Sequence, residues 1–278
     1  MADLTLREIR IYPVKALGCS SLPMAEVEPW GLARDRRWMV IDPAGRFLTQ
    51  RELPMMARLG ARAVADGLVL SAPGRADIAL DFPDATTAPC RVVTVWGDAI
   101  PALDAGEEAA AWLSSALGQR CRLVYLDDPR ARIVDTAFGT PEDRVSFADG
   151  FPLLLTLTAS LAALNEALTQ ALAAPVPMNR FRPNLVIEGG TPWAEDAWRR
   201  IRIGGVSFRV VKPCARCVVT TVDQESGARP DKSEPLRTLG RIRRTAEGVI
   251  FGQNLIPDGP GSIALGDRLE ILEMAPAG

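Results

Sequence analysis

The sequence predicts a mainly β chain with a few helices, of α+β class. Short runs of alternating or β-branched residues recur along its 278 residues, separated by Gly and Pro turns. Only two segments show a clear helical pattern. No internal repeat or low-complexity stretch interrupts the series, and the length suffices for two modest units, each with its own core.

Residues 4–12 partly alternate apolar and polar side chains and stop at Pro13, which predicts a strand. Residues 37–42 and 46–50 flank Pro43-Ala44-Gly45 and predict a hairpin. Residues 63–71 predict another, turning at Asp66-Gly67, and residues 91–96 a further strand ended by Gly97-Asp98. A helix is expected over 106–118, with Glu107 and Glu108 in its first turn and Gly118 just past its end, as the helix dipole and cap geometry favour. A second helix is expected from about residue 159 to 173, with Leu161, Leu164, Leu168 and Leu172 as its apolar stripe. After a loop at Ala174-Pro175-Val176-Pro177, strands are expected at 184–188, 200–203, 206–211, 218–222 and 268–272. Short strands between Gly turns suggest a barrel or sandwich. The loop-like stretch 126–139 separates two β-rich halves, 1–125 and 126–278.

The chain contains no histidine. This excludes Ser-His-Asp and Cys-His nucleophiles, a His general base, and His-ligated zinc or haem. A net charge of −2 gives no global reason to expect a nucleic-acid partner. Five cysteines, at 19, 90, 121, 214 and 217, form an odd and unevenly spaced set. With no apolar leader at the start, a reduced, cytoplasmic setting is expected. The most apolar stretch, 151–164, is too short for a membrane span, so no membrane partner is expected.

The richest segment for chemistry is Lys212-Pro213-Cys214-Ala215-Arg216-Cys217-Val218-Val219-Thr220-Thr221-Val222-Asp223. A thiolate binds soft metals, and neighbouring cations favour it. A structural zinc would need two more ligands that the remaining cysteines do not supply as a close pair. An iron–sulfur cluster fails on the same count. A redox pair should open a helix, whereas a β-branched run follows here. That leaves one thiolate ligand to a soft metal that brings its other ligands along, and neighbours alone do not rank Cys214 against Cys217. Other clusters are Arg180-Phe181-Arg182-Pro183-Asn184, Pro13-Val14-Lys15, Arg34-Asp35-Arg36-Arg37-Trp38 and Phe251-Gly252-Gln253-Asn254. Each alone reads more readily as surface charge or a tied loop.

Taken in order, Pro-Val-Lys, Arg-Asp-Arg-x-Trp, Arg-Phe-Arg-Pro-Asn, Cys-x-Arg-Cys-x-x-Thr-Thr-Val-Asp, Phe-Gly-Gln-Asn and the terminal Gly-x-Ile-x-x-Gly-Asp at 261–267 resemble the MOSC family over nearly the whole chain. Within it, the pattern is similar to that of the amidoxime-reducing components. The resemblance implies an N-terminal MOSC β-barrel domain and a β-barrel-like MOSC domain, with a cofactor cleft between them. It implies molybdenum cofactor, a pterin dithiolene with a phosphate arm, bound with Cys217 as protein ligand to the metal and as the catalytic position. Cys214 matches a second family cysteine. Lys15, Arg36, Arg182 and Arg216 match the cationic cradle, and Asp149-Gly150 a loop near the pterin. Ala16 stands where the amidoxime-reducing relatives carry Ser. The implied activity is reduction of N-hydroxylated or N-oxide small molecules. The chain ends at Gly278 without a ferredoxin cysteine pattern, so electrons are expected from a separate protein of reductase or ferredoxin type. A cofactor or sulfur carrier without turnover is the alternative. Gln253, Asn254 and Asn184 are expected to be substrate contacts.

Overall fold

The computed structural model describes residues 3–276; Met1, Ala2, Ala277 and Gly278 lie outside the described residues. Its principal sheet has nine strands. They run in the order Leu269–Met274, Trp198–Ile203, Val206–Ala215, Gly248–Pro257, Leu153–Leu157, Leu185–Glu188, Thr5–Ile11 and Ser20–Leu22, with the short Arg244–Thr245 strand also paired to Gly248–Pro257. Only Leu153–Leu157 and Leu185–Glu188 run parallel. A parallel pair needs a long crossover, and the helix Thr158–Gln170 provides it.

The first strand of the chain therefore belongs to a sheet built mostly from the second half. Thr5 lies opposite Glu188 and Ile9 opposite Leu185. Farther on, Met24–Glu28 pairs with Gly261–Ala264. The residues that follow these two stitches, 38–125, form a barrel-like unit. A four-stranded sheet (Trp38–Ile41, Arg122–Tyr125, Asp98–Asp104, Cys90–Val95) and a three-stranded one (Gly60–Val64, Gly67–Ser71, Ile78–Asp81) make its walls. Val14, Trp38, Leu68, Leu113 and Leu123 pack in one of its cores. The mainly β architecture with a few helices is as the sequence predicts.

Most expected elements form. The hairpin at Asp66-Gly67 closes with Val64 opposite Gly67. The helix Gly106–Leu117 ends at Gly118 in the left-handed region, φ 70°. Three expectations need correction. The second helix ends at Gln170, so Leu164 and Leu168 are buried but Leu172 lies beyond its end, 97% exposed. Residues 46–50 form no full strand; the side chain of Asp42 accepts from the backbone of Ala44 and Arg46 and tightens the turn, leaving a single bridge between Ile41 and Phe47.

The third correction bears on the site. Val218–Thr221 is a turn of 3-10 helix, not a strand. β propensity reports fit to a pleated, half-buried surface more than a backbone preference, and here local bonding wins. The Thr220 hydroxyl donates to the Cys217 carbonyl and the Thr221 hydroxyl to the Val218 carbonyl. The buried Arg180 donates to the carbonyls of Thr220 and Thr221 and pairs with Asp223. A further helix, Leu236–Ile242, carries no strong sequence signal because it is short and holds Gly240.

The crossover helix is tied down by a buried polar contact. The Ser160 hydroxyl donates to the Glu195 carboxyl and accepts from the Trp193 amide at 2.9 Å. Glu195 is fully buried, and burial pushes its pKa up to about 7, against the pull of the Ser160 bond. A raised folded pKa stabilises the fold fully below the unfolded value of 4.5 and loses that effect as pH rises through 7. This residue should therefore make unfolding easier by on the order of 2–3 kcal/mol as pH rises from 4.5 to 8. Urea titrations at a series of pH values should show Glu195→Gln flattening that slope. Identical slopes in the two proteins would contradict it.

Candidate functional site

A cleft opens where the two β units meet, lined from one by Lys15, Arg36, Arg51 and Trp96 and from the other by Asp149, Arg182, Arg216 and Cys217. Two of its cations rest on the buried Tyr12 ring. The Arg36 guanidinium lies 4.3 Å from the ring centroid and that of Arg182 4.2 Å. Burial pushes the Tyr12 phenol up to about 12 against the pull of Arg182 and Arg36, and its hydroxyl donates to the Pro183 carbonyl. Arg36 and Arg182 both hold left-handed backbone, φ 49° and 53°, as does Ala16 at φ 68°. Such conformations are uncommon for residues with side chains.

Arg36 is neutralised by Asp35, 2.5 Å away, which outweighs burial and raises its pKa. Arg182 has no carboxylate partner among the described residues; its side chain donates to Gln224. Burial lowers the Arg182 pKa, and Arg36 lowers it further. The Lys15 ammonium donates to the Phe147 carbonyl at 2.8 Å and to Asp149 at 2.5 Å. Burial lowers the Lys15 pKa, and Asp149 opposes that shift. Desolvation by the cleft walls would raise the Asp149 carboxyl, but Lys15, helped by Arg36 and Arg51, holds it well below the usual carboxylate range. Gly150 lies beside it with open space where a side chain would stand.

At the other end of the cleft stand two free cysteines, both half-buried. Successive side chains of extended backbone alternate in direction, so Arg216 faces Cys214 and not Cys217. Arg216 donates to the Cys214 sulfur at 2.7 Å and to the Phe181 carbonyl at 2.6 Å. Lys212 pairs with Glu247 and lies over the Phe138 ring. The cation at Cys217 comes instead from the other unit: Arg51 Nη2 lies 3.6 Å from Cys217 Sγ. The local sequence around Cys217 thus names the wrong cations. Arg51, Trp96, Gln50 and Gln224 carry no signal in the sequence, because each depends on a contact across the cleft.

Two expected substrate contacts are occupied by the fold. The Asn184 amide uses all four of its hydrogen-bonding positions internally, donating to the Arg10 carbonyl and Asp35 and accepting from Arg36 and the Leu154 amide. Gln253 is buried and donates to Asp196 at 2.7 Å. Asn254 and Asn184 both line the cleft, while Gln253 does not. Among the described residues no three His, Cys, Asp or Glu side chains converge in a metal-holding group, so a metal at either cysteine needs ligands from outside the protein. Among the described residues no helix is long and apolar enough to cross a membrane.

Fold and cleft define a two-part β protein whose cation-lined interface ends at a free thiol. Residues 3–120 match the MOSC N-terminal beta barrel domain and residues 142–270 the MOSC domain, and the chain belongs to the MOSC family. It is 35% identical to mitochondrial amidoxime-reducing component 1 of Mus musculus, over 96% of this chain and 82% of that protein. Against the Homo sapiens component 1 the identity is 34%, over 96% and 83%. It is also 30% identical to the molybdenum cofactor sulfurase of Oryza sativa subsp. japonica, over 91% of this chain but 32% of that protein.

Replacing Asn184 by Ala would leave Asp35, Arg36 and two backbone groups short of partners in a buried site. The expected loss is on the order of 2–4 kcal/mol of stability, read from denaturant midpoints. A change below about 0.5 kcal/mol would mean that water replaces the amide without cost.

Proposed function

We propose that this chain is a molybdenum-cofactor-dependent reductase of small N-hydroxylated or N-oxide compounds, supplied with electrons by a separate donor protein of reductase or ferredoxin type. Its setting in this reading is cytoplasmic. The observation that carries the reading is the pairing of a free, half-buried Cys217 with a cationic cleft whose far end is short of an anion. Arg182 is a half-buried cation with no carboxylate partner among the described residues. The buried Arg216 Nε also lacks a hydrogen-bond partner. A dianionic phosphate arm answers the first need, and a polar pterin edge the second. Sulfur is the donor a soft metal prefers. These residues fit the cofactor.

In this reading Cys217 is the protein ligand to molybdenum, with Cys214 beside it. Lys15, Arg36 and Arg182 hold the phosphate arm, while Arg216 and the Gly150 loop border the pterin. The bound cofactor supplies the two-electron chemistry that removes oxygen from nitrogen. The chain's residues bind and orient. Asp149, held ionised by Lys15, keeps that ammonium pointed into the cleft and is not a proton source near neutral pH. The likeness to molybdenum cofactor sulfurase favours one rival, a carrier that passes cofactor or sulfur from Cys217 without substrate turnover.

Two measurements test these assignments. Metal and pterin assays on protein from a cofactor-competent host should find molybdenum lost in Cys217→Ala and partly kept in Cys214→Ala; equal loss would point to a two-thiolate site. Arg182→Ala should release pterin by weakening charge-assisted contacts worth about 1.5–3 kcal/mol, with folding intact. For activity, loaded protein given reduced viologen and an N-hydroxylated amidine should oxidise the dye well above the Cys217→Ala background. No turnover, together with cofactor transfer to an apo-molybdoenzyme, would establish the carrier instead.

A further inference from the structure

We infer that Arg51 and Trp96 form a substrate-selecting shelf, and that the preferred substrate is a planar compound bearing a carboxylate or similar anionic group. This rests on the reductase reading above. The guanidinium of Arg51 lies over the Trp96 ring, 4.6 Å from its centroid, and one of its nitrogens reaches to 3.6 Å from Cys217 Sγ. Both residues line the cleft. A substrate that meets a metal at Cys217 comes within reach of Arg51.

Charge accounting points to an anion. Lys15 has Asp149 and Arg36 has Asp35. Arg182 shares the Tyr12 ring with Arg36 at the far end. Arg51 has no carboxylate partner among the described residues, and its sole side-chain hydrogen bond runs to Cys217; Arg216, the other cation beside a cysteine, is tied to Cys214 and to the Phe181 carbonyl. It is also held in place. Arg229 donates to the backbone carbonyls of Gln50 and Arg51, at 3.0 and 2.8 Å. The side chains of Gln50 and Gln224 exchange two further bonds across the cleft. A cation fixed in this way selects a partner without first paying to be ordered.

Trp96 supplies an independent observation. It sits at the tip of the hairpin between Cys90–Val95 and Asp98–Asp104 with φ 56°, a conformation that glycine would take without strain. A bulky residue held there is a strained exception. The residue is 47% exposed and its ring meets Phe47 edge-on at 5.2 Å, so the hairpin presents an aromatic wall to the cleft. A flat ring laid on this wall brings an acidic substituent to Arg51.

The test measures binding without electron donor, by calorimetry on cofactor-loaded protein, using benzamidoxime and its 4-carboxylate as probes. The carboxylate should bind at least about tenfold more tightly than the neutral compound, as a charge-assisted bond implies. Arg51→Ala should erase that preference and Arg51→Lys retain part of it. Trp96→Ala should weaken both probes. Because Arg51 also touches Cys217, affinities of its variants are compared per molybdenum bound. Equal affinities in the wild type, or a carboxylate preference that survives Arg51→Ala, would overturn the shelf. Because binding is read without turnover, a tight but unreduced carboxylate probe would sink the reductase reading and leave the shelf standing.

Discussion

Arg36 and Arg182 press on the same tyrosine ring, and the surrounding structure exists to hold them there. Two cations this close repel, and each has given up much of its water. The fold compensates one of them. Asp35 accepts from Arg36, from the Tyr12 amide and from Asn184, so a single buried carboxylate fixes the end of the first strand, the ring and one guanidinium. Arg182 is left to an incoming anion. The same network joins the two β units, since Tyr12 and Asp35 come from one side and Pro183 and Asn184 from the other.

Strain follows the same map. Of the seven non-glycine residues with positive φ among the described residues, Ala16, Arg36, Trp96 and Arg182 line the cleft. Residues keep such conformations where surrounding contacts over-determine them. Those contacts cross between the units: Arg229 to the backbone at Gln50 and Arg51, Gln50 to Gln224, and the first strand paired into the second unit's sheet. A cleft braced in this way is preorganised, so binding energy is not spent on closing it.

The sequence revealed the strands and the cationic motifs because both are local. Alternation and Gly turns mark strands such as Gly67–Ser71, and Lys15, Arg36, Arg182 and Cys217 stand in motifs that read together. What stayed hidden depends on contacts between distant segments. The run after Cys217 is rich in Val and Thr and reads as a strand, yet Arg180 and the threonine hydroxyls curl it into a turn. Arg216 is next to Cys217 in sequence but turns to Cys214, while Arg51, 166 positions earlier, reaches Cys217. Asn184 and Gln253 look like free amides in a motif and are consumed by internal bonds.

The absence of histidine fits this electrostatic design. The cleft is charged by arginines, which keep their protons throughout the physiological range, and by an Asp149 carboxyl that Lys15 holds ionised far below it. The arginines and Asp149 keep their charges near neutrality. A histidine in the same wall would titrate there and make retention depend on pH. The cost is that these fixed charges are poor proton donors near neutral pH. Reducing an N–O bond to an amine and water consumes two protons, so in a cleft of this kind they come from solvent. A mouth where Trp96 stays nearly half exposed keeps that supply open.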